Sequence, residues 1–290
     1  MEVRRNGETV DLIMPLTANT KETFYITSDL HIDSVYCDRD ALMHDLKQNN
    51  GYIIFIGDIF DAMQGRFDPR KSMDNLRPEY RRNDYYDYVI KDVAELLEDY
   101  KERILVISDG NHETSVLKHS GTDMCDRLVT KLNEMGGNII HGGYGGWLRC
   151  MVRTLKNHPL GSIKVKYYHG SGGESPVTRG TLQVNRQATI YPDADVIYNG
   201  HSHHQWYMPV PRERLGNKGR VYFDIQYHIR TPGYKHDYGD GSQGWAVEKG
   251  MKPKPIGGSV MEISLVDNLP TVSVTMITHA PRVQKGDNYV

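Results

Sequence analysis

The chain has 290 residues, 38% of them hydrophobic and 25% charged, which is enough for a full hydrophobic core and excludes a disordered or fibrous protein. A formal net charge of -2 excludes the overall basic field of a non-specific nucleic-acid binder. Three cysteines without CxxC spacing exclude a zinc ribbon or a disulfide framework, and they predict free thiols in a reducing, cytoplasmic location.

Short apolar runs alternate with helical patterns through the first two thirds of the chain. Runs rich in β-branched and aromatic residues predict strands at 24–29, 52–58, 103–109, 163–170 and 195–200. Between the early strands, apolar spacing and end signals predict helices at 38–49, 84–100 and 121–137. This alternation predicts an α/β fold whose sheet is at least partly parallel.

The pattern changes after residue 204, where three strand-like pieces follow one another with no helix between them. They lie at 221–229, 257–266 and 271–278. We expect antiparallel strands over about 205–280 that complete a second sheet. No apolar run approaches membrane-spanning length, so we expect no membrane association. Residues 1–290 are predicted to form a single domain, with its motif core at about 23–204 and a charged insertion loop at 62–83.

Each of the five early strands ends in side chains that can bind a metal ion. They are Asp29, His31, Asp58, Asn111, His112, His169, His201 and His203. Ligands collect at the carboxyl ends of strands in open α/β sheets, so these five strand ends can converge in space. Carboxylate, imidazole and amide donors without cysteine suit Mn²⁺, Fe or Zn²⁺, and their number exceeds the needs of one ion. Taken alone, the histidines at 201–204 could equally be a solvated polar turn.

The ordered segments DLH, GDIFD, GNHE, HG and GHSH resemble the five-block signature of the calcineurin-like metallophosphoesterases. Each block is a weak signal alone, but their ordered combination at five strand ends is specific. The resemblance covers about residues 23–204. It implies a four-layer αββα sandwich of two mixed β-sheets flanked by helices, in agreement with the strand-only C-terminal stretch.

The resemblance also implies a role for each matching residue. One metal ion would be held by Asp29, His31 and His203. A second would be held by Asn111, His169 and His201, with Asp58 bridging the two ions. His112 would not bind metal; it would face the substrate phosphate and stabilise or protonate the leaving oxygen. The two divalent ions would be Mn²⁺ in the first instance, with Fe, Zn²⁺ or Ni²⁺ as alternatives.

The implied activity is a dinuclear-metal-dependent phosphoesterase that hydrolyses phosphodiester or phosphomonoester bonds. Two ions can acidify a bridging water, and the resulting hydroxide would attack the phosphorus in line. The substrate is a phosphoester, with nucleotides and nucleic acids among the candidates. Two alternatives stay open: a DNA or RNA nuclease of the same family, and a catalytically inactive metal-binding scaffold on the same fold.

Four further residues are candidates for supporting or substrate-contacting roles. Asp61 could orient His31, or it could cap a helix. Glu113 fits the fourth position of its block, but a solvated or structural ion-pair role is as well supported. Arg179, in a glycine-rich segment after the fourth block, is a candidate phosphate contact, and His204 is a candidate rim residue.

Two rivals of these assignments also follow from the sequence. His141 precedes a glycine after an apolar stretch and competes with His169 for the same role. The arginines of loop 62–83 could bind a phosphate-rich substrate, or the loop could simply be a solvated charged segment.

Overall fold

The computed structural model describes residues 1–62, 75–173, 175, 177–236, 238, 245–280, 284–285 and 288–289. The strands, in chain order, are β1 (Glu2–Asn6), β2 (Thr9–Pro15), β3 (Glu22–Thr27), β4 (Tyr52–Ile56), β5 (Ile104–Ser108), β6 (Ile140–His141), β7 (Gly145–Arg153), β8 (Pro159–Tyr168), β9 (Val196–Asn199), β10 (Trp206–Leu215), β11 (Val221–Arg230), β12 (Ile256–Val266), β13 (Leu269–His279), β14 (Gln284–Lys285) and β15 (Asn288–Tyr289). The helices are α1 (Arg39–Gln48), α2 (Tyr85–Leu97), α3 (Asn111–Ser120), α4 (Met124–Glu134), α5 (Thr181–Ile190) and α6 (Trp245–Glu248), with 3-10 turns at Pro78–Tyr80 and Glu98–Tyr100.

The strands form two mixed sheets and a small two-stranded pair, β14–β15. The seven-stranded sheet has the order β1-β2-β7-β8-β9-β11-β10, and the six-stranded sheet has the order β13-β12-β3-β4-β5-β6. The strands β3, β4, β5 and β6 run parallel, as do β8, β9 and β11. The carboxyl ends of β3, β4 and β5 therefore meet at one edge of their sheet.

Alternate residues of the parallel strands enter two different hydrophobic cores. In β4, Ile54 and Ile56 face the core between the two sheets, whereas Ile53 and Phe55 face a second core beneath α1, α2 and α4. Burial on both faces explains why this strand is apolar throughout. On the far side of the other sheet, α5 covers β9 through a paired amide contact between Gln187 and Asn199. The predicted α/β sandwich of two mixed sheets flanked by helices is confirmed.

The C-terminal strands divide between the two sheets, which corrects the prediction that they all complete one. β10 and β11 extend the seven-stranded sheet, because β11 pairs in parallel with β9. β12 and β13 extend the six-stranded sheet, because β12 pairs antiparallel with β3. Alternation along a strand identifies the buried face but carries no information about which sheet edge the strand joins.

The predicted helices begin close to their expected positions. Asp38 caps α1 by accepting a hydrogen bond from the Ala41 amide at 2.9 Å, as the aspartates at that position indicate. The elements α3 and α5 and the strands β1, β2 and β7 were not predicted. Among the described residues no helix has both the length and the hydropathy needed to cross a bilayer. Cys37, Cys125 and Cys150 are buried and form no disulfide with one another.

Candidate metal centre

The loops that follow β3, β4, β5, β8 and β9 bring the predicted ligands together at one end of the sandwich. Five of those residues have positive φ angles: Asp29 (53°), His31 (47°), Asp58 (51°), His201 (73°) and His203 (54°). This left-handed conformation is uncommon outside glycine and costs roughly 1 kcal/mol per residue. Hydrogen bonds between the first two loops hold it, from Asp29 N to Gly57 O at 2.9 Å and from His31 N to Asp58 O at 3.0 Å.

The first group of converging donors consists of Asp29, His31 and His203, all buried. His203 Nε2 lies 3.2 Å from Asp29 Oδ1 and 3.3 Å from His31 Nε2. Ligand atoms of all three residues lie within 4.8 Å of one another, so this group could hold a metal ion. Burial, followed by the nearby charge of Lys235, lowers the pKa of His31 to about 4, which keeps the imidazole neutral and able to coordinate.

The second group consists of Asp58, His169 and His201, with the Asn111 amide beside them. His169 Nδ1 donates a hydrogen bond to Ile56 O at 2.8 Å, which fixes the tautomer and leaves Nε2 facing the group. His169 Nε2 lies 3.2 Å from Asp58 Oδ2, and Asn111 Oδ1 lies 2.6 Å from His201 Nδ1. This group could therefore hold a second ion.

Asp58 lies between the two groups. Its Oδ2 is 3.2 Å from His169 Nε2 and 4.0 Å from His31 Nε2, and its Oδ1 accepts a hydrogen bond from the His112 amide at 3.0 Å. Burial alone would raise the pKa of the Asp58 carboxyl, but His169 and His112 beside it hold that pKa well below its usual range. The Asp58 carboxylate is therefore ionised and lies between the two donor groups, as a ligand shared by two metal ions would have to be.

Three glycines pack so closely against the carboxylates of the centre that a side chain at any of these positions would collide with them. A Cβ on Gly110 would lie 2.6 Å from Asp58 Cγ, and one on Gly200 would lie 2.7 Å from Asp29 Oδ2. A Cβ on Gly233 would lie 2.6 Å from Asp29 Cβ. Such close backbone packing, with donors chosen only from carboxylate, imidazole and amide, fits a pair of hard or borderline divalent cations.

His112 lies at the edge of the centre, at the start of α3. Its Nδ1 donates a hydrogen bond to Asp61 O at 2.5 Å, and its Nε2 lies 3.9 Å from Asp58 Oδ2. Its side chain keeps 11% exposure, whereas His31 and His169 are almost fully enclosed. The backbone contact orients the ring and leaves Nε2 facing the centre from the more accessible side.

Asp61 lies beside His31 and not at a helix N-terminus. Its Oδ1 is 2.9 Å from His31 Nδ1 and 2.5 Å from Lys235 Nζ. Burial would raise the pKa of Asp61, but Lys235 and His31 lower it far below its usual value. This is the geometry expected of a carboxylate that orients His31. Lys235 was not found by sequence reasoning, because it follows β11 in a loop with no recognisable pattern.

Glu113 is buried, and no cationic side chain among the described residues forms an ion pair with it. Its carboxylate accepts hydrogen bonds from the amides of Asp58 at 3.1 Å, Phe60 at 2.9 Å and Gly110 at 2.8 Å. Burial, and then the Asp58 charge, raise the pKa of Glu113 to about 8. The residue therefore ties the loop after β4 to the start of α3.

The other predicted residues lie outside the two groups. His204 is half-buried, with Nδ1 3.3 Å from Ser202 Oγ, and burial followed by Lys254 lowers its pKa to about 4. Arg179 adopts a left-handed conformation with φ of 44° just before α5. His141 contacts Asp109 at 2.9 Å in a separate cluster with Asp123, so it does not replace His169 beside Asp58.

Loop 62–83 is described only in part, and residues 63–74, including three of its basic residues, lie outside the described residues. In the described part, Arg77 donates to Ser34 O and Cys37 O, and Arg81 donates to Leu76 O. Arg82 pairs with Asp84. These three arginines are engaged with groups of the chain itself, which favours the interpretation of the described part as a structural segment.

Comparisons with known proteins give only distant likenesses. No family model matches the chain, and no curated protein matches it by sequence. Among solved structures it is similar to zinc-complexed Vps29 from Entamoeba histolytica, with 10% identity, coverage of 87% of this chain and 98% of that chain, and a TM-score of 0.35. It is also similar to a metallophosphoesterase from Sphaerobacter thermophilus, with 14% identity, coverage of 88% of both chains and a TM-score of 0.36.

A third likeness is to a conserved uncharacterized protein from Streptococcus pneumoniae, a predicted phosphoesterase. The two chains are 15% identical, with coverage of 89% of this chain and 100% of that chain and a TM-score of 0.31. Scores of this size assign neither a family nor an activity to this chain, so the proposed chemistry rests on the centre itself.

Proposed function

We propose that the chain is a phosphoesterase that depends on two divalent metal ions and hydrolyses phosphodiester or phosphomonoester bonds. The observation that carries the proposal is the position of Asp58 between two groups of carboxylate, imidazole and amide donors, with His112 beside them on the more exposed side. A metal-binding scaffold would need the donor groups but would have no use for an oriented, partly accessible histidine at their edge.

Asp29, His31 and His203 would hold one ion, and Asn111, His169 and His201 would hold the other, with Asp58 contacting both. When bound, two such ions would supply Lewis acidity to the phosphoryl oxygens and lower the pKa of bound water. We favour Mn²⁺ for this donor set, with Fe, Zn²⁺ and Ni²⁺ as alternatives.

The protein groups have separate tasks in the proposed reaction. Asp61 and the Ile56 carbonyl fix the rings of His31 and His169, so that Nε2 of each ring faces inward. His112 donates its Nδ1–H to the Asp61 carbonyl, so Nε2 would donate to the leaving oxygen, as negative charge develops there, from the imidazolium form of the ring, which carries a second proton on Nε2. The expected contribution of such a proton donor is roughly 10²–10⁴-fold in rate.

The test is an assay of the Mn²⁺-loaded protein on bis-p-nitrophenyl phosphate and p-nitrophenyl phosphate. We expect hydrolysis that a chelator abolishes and that His112→Ala reduces at least a hundredfold, with the metal content of that variant unchanged. His119→Ala is the matched control, because His119 is an exposed histidine of the same helix. Two bound ions with no hydrolysis of either ester would refute the proposal and favour the inactive scaffold.

A further inference from the structure

A cavity of about 320 Å³ lies between α5, the end of β8 and the segment after it. Tyr168 and Tyr191 contribute aromatic walls, and Leu182 and Ile190 of α5 contribute apolar ones. The two aliphatic side chains are 54% and 63% exposed, so α5 presents apolar surface toward solvent beside the cavity. This volume is at the lower end of the range for small-molecule sites, about 300–1,000 Å³.

The cavity adjoins the metal centre through consecutive residues. Tyr168 lines the cavity, His169 belongs to the second donor group, and Ser171 lines the cavity again. Tyr144 connects the two sites: its ring contacts His169 at 5.5 Å and Tyr168 at 5.6 Å between centroids, and its hydroxyl donates to Gly170 O at 2.7 Å. Residues 168–171 and the Tyr144 ring thus connect the cavity wall to the second donor group.

In the part of the chain that the structure describes, one cationic side chain lines the cavity and another contacts the ring of the lining residue Tyr191. Arg186 lines the cavity, and no acidic side chain does so among the described residues. Lys166 is only 9% exposed, and its Nζ lies 5.1 Å from the Tyr191 centroid and 5.4 Å from the Trp147 centroid. Among the described residues these two rings are the only partners of its ammonium group, and burial lowers the pKa of Lys166. A buried ammonium group without a carboxylate partner stabilises negative charge nearby.

Building on the proposed function, we propose that this cavity binds the aromatic, non-reacting group of an anionic phosphoester, and that the group is a nucleobase. Tyr168 and Tyr191 supply faces for stacking, which every base can use. Ser171, Thr178 and Gln183 supply polar side chains to the lining. Arg186 and Lys166 supply the positive charge that favours a nucleotide over a neutral aromatic alcohol.

The kinetic test compares two diesters with the same leaving group, thymidine 5′-p-nitrophenyl phosphate and methyl p-nitrophenyl phosphate. We expect kcat/KM to be at least tenfold higher for the thymidine ester, and this preference to fall at least fivefold in Tyr191→Ala and in Arg186→Ala. Arg186 is exposed, so its variant keeps the fold intact. Tyr207→Ala is the matched control, because Tyr207 is an exposed tyrosine that does not line the cavity. Equal kcat/KM values for both esters would overturn the inference and leave the phosphoesterase proposal standing.

A binding test separates the two proposals if neither ester is hydrolysed. Calorimetric titration of the chelator-treated protein with thymidine 5′-monophosphate should give saturable binding that weakens at least fivefold in Arg186→Ala and Lys166→Met. Binding by the wild type that these variants leave unchanged, or no binding at millimolar nucleotide, would overturn the inference whatever the activity.

Discussion

His31 Nε2 and His203 Nε2 lie 3.3 Å apart inside the protein, although the two residues are 172 positions apart in the chain. Without a metal, one proton between the nitrogens satisfies both rings. With a metal, both lone pairs can face the same cation. The pair is therefore a direct structural link between the loop after β3 and the loop after β9, and a bound cation would strengthen it.

Adding metal should stabilise the fold, and removing it should destabilise the fold. A ligand that binds only the folded chain adds about 2.7 kcal/mol at a hundredfold excess over its Kd. We expect Mn²⁺ to raise the melting temperature of chelator-treated protein by several degrees, and His203→Ala to remove most of that rise. His119→Ala should keep it. An unchanged melting temperature for the wild type at millimolar Mn²⁺ would contradict the prediction.

Gly110→Ala should disrupt the centre, because the new Cβ would lie 2.6 Å from Asp58 Cγ, where no side-chain carbon fits. The expected result is loss of at least one bound metal ion per chain, measured by elemental analysis after dialysis, with a lower midpoint of urea unfolding. Gly173→Ala is the control, since a Cβ there meets nothing within 4 Å. Full metal content in Gly110→Ala would show that Asp58 can move without loss of binding.

Glu113→Gln should destabilise the protein without removing any metal ligand. The remaining carbonyl oxygen can keep the bonds from the Asp58 and Gly110 amides, which share Oε2, but the NH₂ group that takes the place of Oε1 cannot accept the bond from the Phe60 amide. Leaving a buried amide unpaired costs about 1–3 kcal/mol. Urea unfolding should register that loss, whereas Glu134→Gln at an exposed helix position should change stability by less than about 0.5 kcal/mol.

His228 should make the fold sensitive to acid. Burial lowers the pKa of this fully enclosed imidazole to about 4, while its ordinary value is 6.5. As the pH falls from 6.5 toward 4, His228 becomes protonated in the unfolded chain but stays neutral in the folded chain. The free energy of unfolding therefore decreases by at most about 1.4 kcal/mol per pH unit.

The matched variant for that effect is His228→Asn, which has no titrating group. Free energies of unfolding of the two proteins, measured with urea between pH 4 and pH 7, should differ in slope in this window and run parallel above it. Parallel curves throughout the range would mean that His228 becomes protonated in the folded state at its ordinary pKa.

The sequence predicted the parts of the fold that depend on local pattern. The strand at 52–58 and the helix at 38–49 lie within two residues of β4 and α1, because apolar runs and a capping aspartate are local signals. The pairing of β12 with β3 could not be predicted, since it joins residues more than 230 positions apart. The same holds for the contact of Lys235 with Asp61, which joins residues 174 positions apart.

The convergence of Asp29, Asp58 and His169 could be predicted because each follows a strand, and strand ends meet by topology. The role of Glu113 could not be predicted, because its carboxylate accepts hydrogen bonds from backbone amides. Every residue except proline has a backbone amide, so the sequence does not show which amides are the donors. The cavity beside α5 could not be predicted either, because the sequence contains its tyrosines but does not show that they enclose a cavity.

The left-handed backbone at the centre also limits which amino acids can serve there. Asp, Asn and His tolerate positive φ better than other residues with side chains, whereas β-branched residues adopt it only at high cost. At Asp29, His31 and His203 the residue must therefore meet two requirements: its side chain must be able to coordinate a metal ion, and its backbone must tolerate a positive φ. Redesign for a different cation is consequently confined to exchanges among these three residue types, unless the loops themselves are rebuilt.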